Sequence, residues 1–127
     1  MDLGDRTLAL KARLDALPGA EATPMTASRG KEPLILMYKV MGKLFAILAV
    51  RGTENAILKC DPHLAEILRE QYAGVGHRSH LDRRIWISVD LDSDAPADEI
   101  VRWTEASYDL VREGLTKKQK AELAERA

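Results

Sequence analysis

Two apolar runs, LILMYKV (Leu34 to Val40) and KLFAILAV (Lys43 to Val50), stand two residues apart around Met41 and Gly42. Each is the length of a strand, and each is apolar on both pleated faces, because odd and even positions alike carry Leu, Ile, Met, Val or Ala. Strands of this kind belong in the middle of a sheet with at least one face covered by helices. Gly42 permits positive φ, so the pair reads as a hairpin; methionine at the first turn position favours a loop slightly longer than an ideal type I′ turn.

The flanking segments supply the cover. Leu3, Thr7, Leu10, Leu14 and Leu17 recur at helical spacing and Pro18-Gly19 stops them, which predicts a first helix at about residues 4–16 with a polar face of mixed sign, Arg6, Lys11, Arg13 and Asp15. Residues 20–33 mix small, polar and turn-forming types and are expected to hold one short strand and a loop. A third strand, AILKC, runs into DPHLAEILREQYAG: Asp61 is the N-cap, Pro62 the first helical residue, Leu64, Ile67, Leu68 and Tyr72 the buried stripe, and Gly74 the end. A strand follows at about 85–91, with a further short strand at 77–80 before it. Pro96, Asp98 and Glu99 open the last long helix, whose inward stripe is Ile100, Trp103, Ser107, Leu110 and Val111, with Gly114 as its stop. The order indicates an α+β fold, an antiparallel sheet with helices packed on it. A chain of 127 residues suits one domain, here residues 1–118, followed by a solvated helical extension over 119–127.

Several functions lose ground on composition. A formal charge of -1 gives no global attraction to phosphate or anionic lipid, so nucleic-acid binding needs a local patch. The longest apolar run is far short of the roughly 20 residues of a spanning helix, and MDLGDRT lacks the pattern of a signal peptide, so no membrane partner and a cytoplasmic location are expected. Cys60 is the single cysteine and reads as a small apolar filler at a strand end. His63, His77 and His80 do not make a metal frame, and DLDSDAPADE lacks the glycine and glutamate of a hand-type calcium loop. With no serine elbow, phosphate loop or dinucleotide turn, neither a catalytic role nor a cofactor is indicated.

The chemistry-bearing cluster is HRSHLDRRIW. Arg78, Arg83 and Arg84, with His77 and His80, fall in eight residues that hold one acid, Asp82, just before Trp86. In the strand after them Ile85, Ile87, Val89 and Leu91 alternate with Trp86, Ser88, Asp90 and Asp92, which puts the indole on the polar face. Guanidinium forks pair with phosphate and an exposed indole stacks on a base, so together they suit nucleic acid. Lys39 and Lys43 extend the patch if the hairpin ends adjoin. The competing arrangement has the arginines solvating a tip while Trp86 packs beneath a covering helix or loop, the commoner fate of tryptophan.

YKVMGKLFAIL, LKCDPHLAEILREQYAGV, HLDRRIWISVDL and ASYDLVREGLTKK come in the order and spacing of the MmcQ/YjbR family, which the chain resembles over roughly residues 5–118. The resemblance implies a frataxin-like fold with helices on one side of the sheet and double-wing hairpins from which DNA binding is proposed. By position it assigns the family's histidine, basic residue and tryptophan to His80, Arg83 and Trp86. The chain departs at Asp82, where asparagine is usual, and at Ile85 and Ile87, where histidine and asparagine are usual. The iron handling suggested by the frataxin likeness is discounted, because helix 1 alternates Arg6, Lys11 and Arg13 with few acids. The leading expectation is a non-enzymatic DNA-binding protein, monomer or weak homodimer, using Lys39, Lys43, Arg78, His80, Arg83, Arg84 and Trp86. The rival is a protein or small-ligand interaction module in which Ile85 and Ile87 form an apolar contact. An enzyme or a sequestering protein is a third class, which requires a concave pocket.

Overall fold

In the computed structural model, which describes residues 4–25, 35–50, 53–77 and 81–126, the two apolar runs are β2 (Ile35–Val40) and β3 (Lys43–Ala49), paired antiparallel. Before them come α1 (Asp5–Ala16) and β1 (Ala20–Met25); after them come β4 (Asn55–Lys59), α2 (Pro62–Gln71), β5 (Val75–Gly76), β6 (Trp86–Asp90), α3 (Ala97–Glu113) and α4 (Lys117–Arg126). The strands form one antiparallel sheet in the order β1-β2-β3-β4-β6-β5, so the apolar hairpin lies inside it. The α+β class expected from the element order is the one observed. The turn differs from expectation. Val40 pairs directly with Lys43, leaving a two-residue loop in which Met41 has φ 50° and Gly42 φ 78°. Both are left-handed, as a type I′ turn requires, and Met41 is held there while partly buried against the core.

The pleat sorts the sheet into two faces. Leu36, Leu48, Ala56, Val89 and Val75 share one cross-strand row, and Tyr38, Ala46, Leu58 and Ile87 the next. These rows meet Leu10 and Leu14 of α1, Ala65 and Leu68 of α2, Ile100, Trp103, Tyr108 and Val111 of α3, and Leu123 of α4 in one core. The other face carries Met37, Ile47, Ile57 and Ser88 in a row, and no described helix sends a buried side chain to it.

A register shift marks where the sheet opens. Tyr38 pairs with Ala46 but Lys39 with Leu44, so Phe45 is an extra residue, a bulge that turns its ring into the core. There it sits 5.3 Å from the Tyr108 ring, edge to face. The β3-β4 ladder stops at Ala46 and Leu58, and beyond it a helix side chain takes over: the buried Ser107 hydroxyl donates to the Phe45 carbonyl (2.5 Å) and accepts from the Lys59 N–H (2.8 Å).

The helices start as the sequence indicates. The Asp61 carboxylate accepts from the N–H groups of His63 (3.1 Å) and Leu64 (3.2 Å), and Pro62 opens α2. Their buried stripes are narrower than expected. Leu64 is 37% exposed, Ile67 49% and Leu110 38%; α2 meets the core only through Ala65 and Leu68, with Tyr72 half-buried against Trp103. The reason is position: α2 lies beside the two-residue edge strand β5, which offers too little sheet to cover a wide apolar face. In the C-terminal segment α4 keeps most side chains in solvent, but Leu123 is 1% exposed and seats against Gly19, whose φ is 71° and where a Cβ would run into Leu123 Cδ1. Arg6 ties α1 to the β6-α3 connection, donating to the carbonyls of Leu91, Ser93 and Ala95.

Two outcomes follow from the bonding. Ser107→Ala leaves two buried backbone groups without partners and should cost about 2–3 kcal/mol, read as a lower urea midpoint at unchanged m. The Asp94 carboxylate accepts from the N–H groups of Gly74 and Ala73 (2.8 Å each), and these bonds hold it below the ordinary 3.8. A depressed folded-state pKa means that its stabilisation is complete above the unfolded value and lost as the pH falls through the folded one. Asp94→Asn should therefore flatten the loss of stability between neutral pH and pH 3, measured by urea unfolding at each pH.

Candidate nucleic-acid interface

Antiparallel pairing brings the end of β2, the start of β3, the end of β4 and the start of β6 to one edge of the sheet, because Val40 pairs with Lys43 and Lys59 with Trp86. The two hairpin ends named from the sequence therefore do lie at the same end. Lys39, one pleat from Val40, is on the face away from the helices, as are Lys59 and Trp86. Lys43 is exposed and pairs with Val40, so the pleat turns it toward the helix side.

Trp86 is half-buried on the helix-free face, with Ile87 and Val89 fully buried on the other. The face that the alternation gives the indole is the one that the β4-β6 register gives it, and the side chain there is partly buried. Its direct cross-strand neighbour is Lys59, at a spacing where Cβ atoms stand about 5 Å apart. Sequence reasoning missed Lys59. Its parity with Ile57 in AILKC was visible, but its opposition to Trp86 depends on the β4-β6 register, a pairing of residues 27 positions apart. Ile87 lies in the core at 0% exposure and so is not available for the apolar contact expected of it; Ile85 is half-buried.

The arginines are arranged by the turn before β6. The Asp82 carbonyl accepts from both Ile85 N–H (3.1 Å) and Trp86 N–H (3.0 Å), which closes the turn and starts the strand. The Asp82 carboxylate accepts from the Arg84 N–H (2.9 Å), Nε (3.3 Å) and Nη2 (3.1 Å). The Arg84 side-chain hydrogen bonds hold the Asp82 carboxyl below its usual range and raise the guanidinium in return. Arg83 is exposed, with no ion pair among the described residues, and both arginines line a cleft against α2, on the helix side. Arg78 and His80 lie outside the described residues. The described end of the sheet thus carries two groupings, Lys39-Lys59-Trp86 on the open face and Arg83-Arg84 beside α2.

Other candidate chemistry is sparse. Among the described residues no group of three His, Cys, Asp or Glu side chains could hold a metal ion, and no helix is long and apolar enough to cross a membrane. Burial, then the charge of Asp61, pushes the Cys60 thiol up to about 11, so it is protonated at neutral pH.

Comparison with known proteins adds lineage. The YjbR family model matches residues 15–110. The uncharacterized protein YjbR of Escherichia coli strain K12 is 34% identical over 94 residues, 73% of this chain and 75% of that one, and its counterpart in Escherichia coli O157:H7 matches equally. The crystal structure of the Deinococcus radiodurans protein DR2400, with the family-model domain DUF419, is similar at a TM-score of 0.76 and 28% identity, over 91% of this chain and 85% of that one. A Pseudomonas syringae protein shares the fold at a TM-score of 0.63 and 21% identity, over 85% of this chain and 98% of that one.

The two indoles give a direct reading of the face. In Trp103→Phe the remaining Trp86 should emit at longer wavelength and be quenched more steeply by acrylamide than Trp103 is in Trp86→Phe, because Trp103 is 8% exposed in the core.

Proposed function

This chain belongs to the YjbR family, and from that premise we propose that it is a non-enzymatic, cytoplasmic DNA-binding protein that holds a strand across the lysine-and-indole end of its sheet. The observation that carries the reading is the cross-strand pair of Lys59 and Trp86, with Lys39 on the same face. On a chain of net charge -1, local placement of cations is what nucleic-acid affinity requires. An indole on a pleated face offers a π surface to a base, worth about 1–3 kcal/mol per stacked base, and ammonium groups on either side act as point charges for phosphates. Lys43 at the margin extends the phosphate track, whereas Arg84 is already neutralised by Asp82. A duplex keeps its base faces stacked internally, so a stacking platform of this kind selects single strands.

A second reading has one observation behind it: Met37 and Ile47, both only partly buried, stand side by side on the same face, which suits a protein partner. Association through that pair is insensitive to salt, whereas phosphate contacts are not.

Anisotropy of a labelled oligothymidine should report binding that weakens between about 50 and 200 mM salt with a log-log slope of about -2, roughly 0.7 for each of three phosphates neutralised. Lys59→Ala should make the slope shallower by about 0.7. Trp86→Ala should weaken binding about 10-fold or more at unchanged slope. Absence of binding at the lower salt, or a Lys59→Ala slope equal to that of the parent, overturns the proposal.

A further inference from the structure

A cleft of about 580 Å³ opens between α2 and the turn before β6, lined by Pro62, Glu66, Arg69 and Glu70 from the helix and by Arg83 and Arg84 from the turn. The helical residues are spaced four, three and one apart, so they project from one side of α2. Their charges alternate. Arg84 is satisfied by Asp82, which leaves two guanidinium groups, Arg69 and Arg83, among two carboxylates, Glu66 and Glu70. Side chains of opposite sign this close in sequence and space ordinarily close on one another. Among the described residues these four make no ion pair and no side-chain hydrogen bond. Arg69 is the sharpest case: its Nη1 is shielded from solvent and has no acceptor, an arrangement that natural structures rarely tolerate without a partner.

The lining selects among ligands by charge. A simple anion drawn to Arg69 and Arg83 has to sit beside Glu66 and Glu70, and a simple cation meets the reverse. A molecule with a carboxylate at one end and an ammonium at the other complements all four groups at once. The volume lies within the roughly 300–1,000 Å³ typical of small-molecule sites and exceeds what a free amino acid fills. We propose that this cleft binds a short zwitterionic peptide, its carboxylate held by the Arg69 and Arg83 forks and its ammonium by Glu66 and Glu70, with Pro62 as a rigid apolar wall. Guanidinium suits the carboxylate end because it offers paired donors in a fixed plane. The site lies on the helix side of the sheet and does not depend on the nucleic-acid reading of the other face.

Triglycine is the probe, with N-acetyl-triglycine and triglycine amide removing one charged end each, and amide shifts of α2 and of Arg83 and Arg84 in the ¹⁵N spectrum of the full chain are the readout. Triglycine should give saturable shifts, and blocking either end should weaken binding about tenfold or more, the value of one charged hydrogen-bonded contact. Arg69→Met and Glu66→Gln should each do the same. Arg83→Met, at an exposed position, stands in if Arg69→Met fails to fold. No saturable shift, equal shifts with the N-acetylated peptide, or unchanged affinity in Arg83→Met would overturn the assignment.

Discussion

One hydroxyl governs how this sheet is put together. Where the Phe45 bulge ends the β3-β4 ladder, an opened sheet would leave a carbonyl on one strand and an N–H on the other buried and unmatched, which is among the costlier faults a core can contain. Ser107 answers both at once, donating to Phe45 and accepting from Lys59, and does so from α3. A helix is thereby stitched to two strands by directional bonds in addition to the apolar packing around them. The bulge gains as well: with the ladder closed by a side chain, Phe45 can leave the pleat and join Tyr38 and Tyr108 in the aromatic part of the core. The parity of Lys59 rests on this geometry. Its backbone N–H is held by Ser107, its side chain turns to the opposite face, and there it meets Trp86.

The same end of the sheet explains why a chain so balanced in charge still presents distinct surfaces. Asp82 separates them. Its carbonyl receives the N–H groups that begin β6 and so fixes the indole on the open face, while its carboxylate engages Arg84 by two side-chain contacts. Asparagine at this position could close such a turn but could not neutralise a guanidinium. With aspartate here, the cationic character of the open face falls to lysines on β2 and β4, and the arginines belong to the α2 side.

What the residues disclosed in advance was whatever is settled locally. The Asp61-Pro62 start of α2 needs only the cap and the ring, and both operate as read. The face of Trp86 needs only the period of two. Errors arose where the answer lay in another part of the chain. Helical spacing tells which side chains share a face, not how much sheet waits beneath it, and so Leu64 and Ile67 read as inward although the edge strand beside α2 is two residues long. Lys59 went unnoticed because its importance comes from register. Met41 was judged by its intrinsic dislike of positive φ, whereas its contact with the core holds it in a tight turn.

Leu123 extends that lesson to the C-terminal segment. A stretch as polar as KKQKAELAER has little reason of its own to dock, and helix propensity alone would leave it exposed. Docking is made possible at the other end of the chain, where Gly19 supplies a left-handed residue without a Cβ and so a recess of the right depth. The Tyr108 hydroxyl, donating to the Pro18 carbonyl at 2.6 Å, fixes that recess from the α3 side. The two residues that read as a helix stop in sequence, Pro18 and Gly19, are therefore also the floor on which the last helix stands, and one leucine suffices to anchor it because the recess is already rigid.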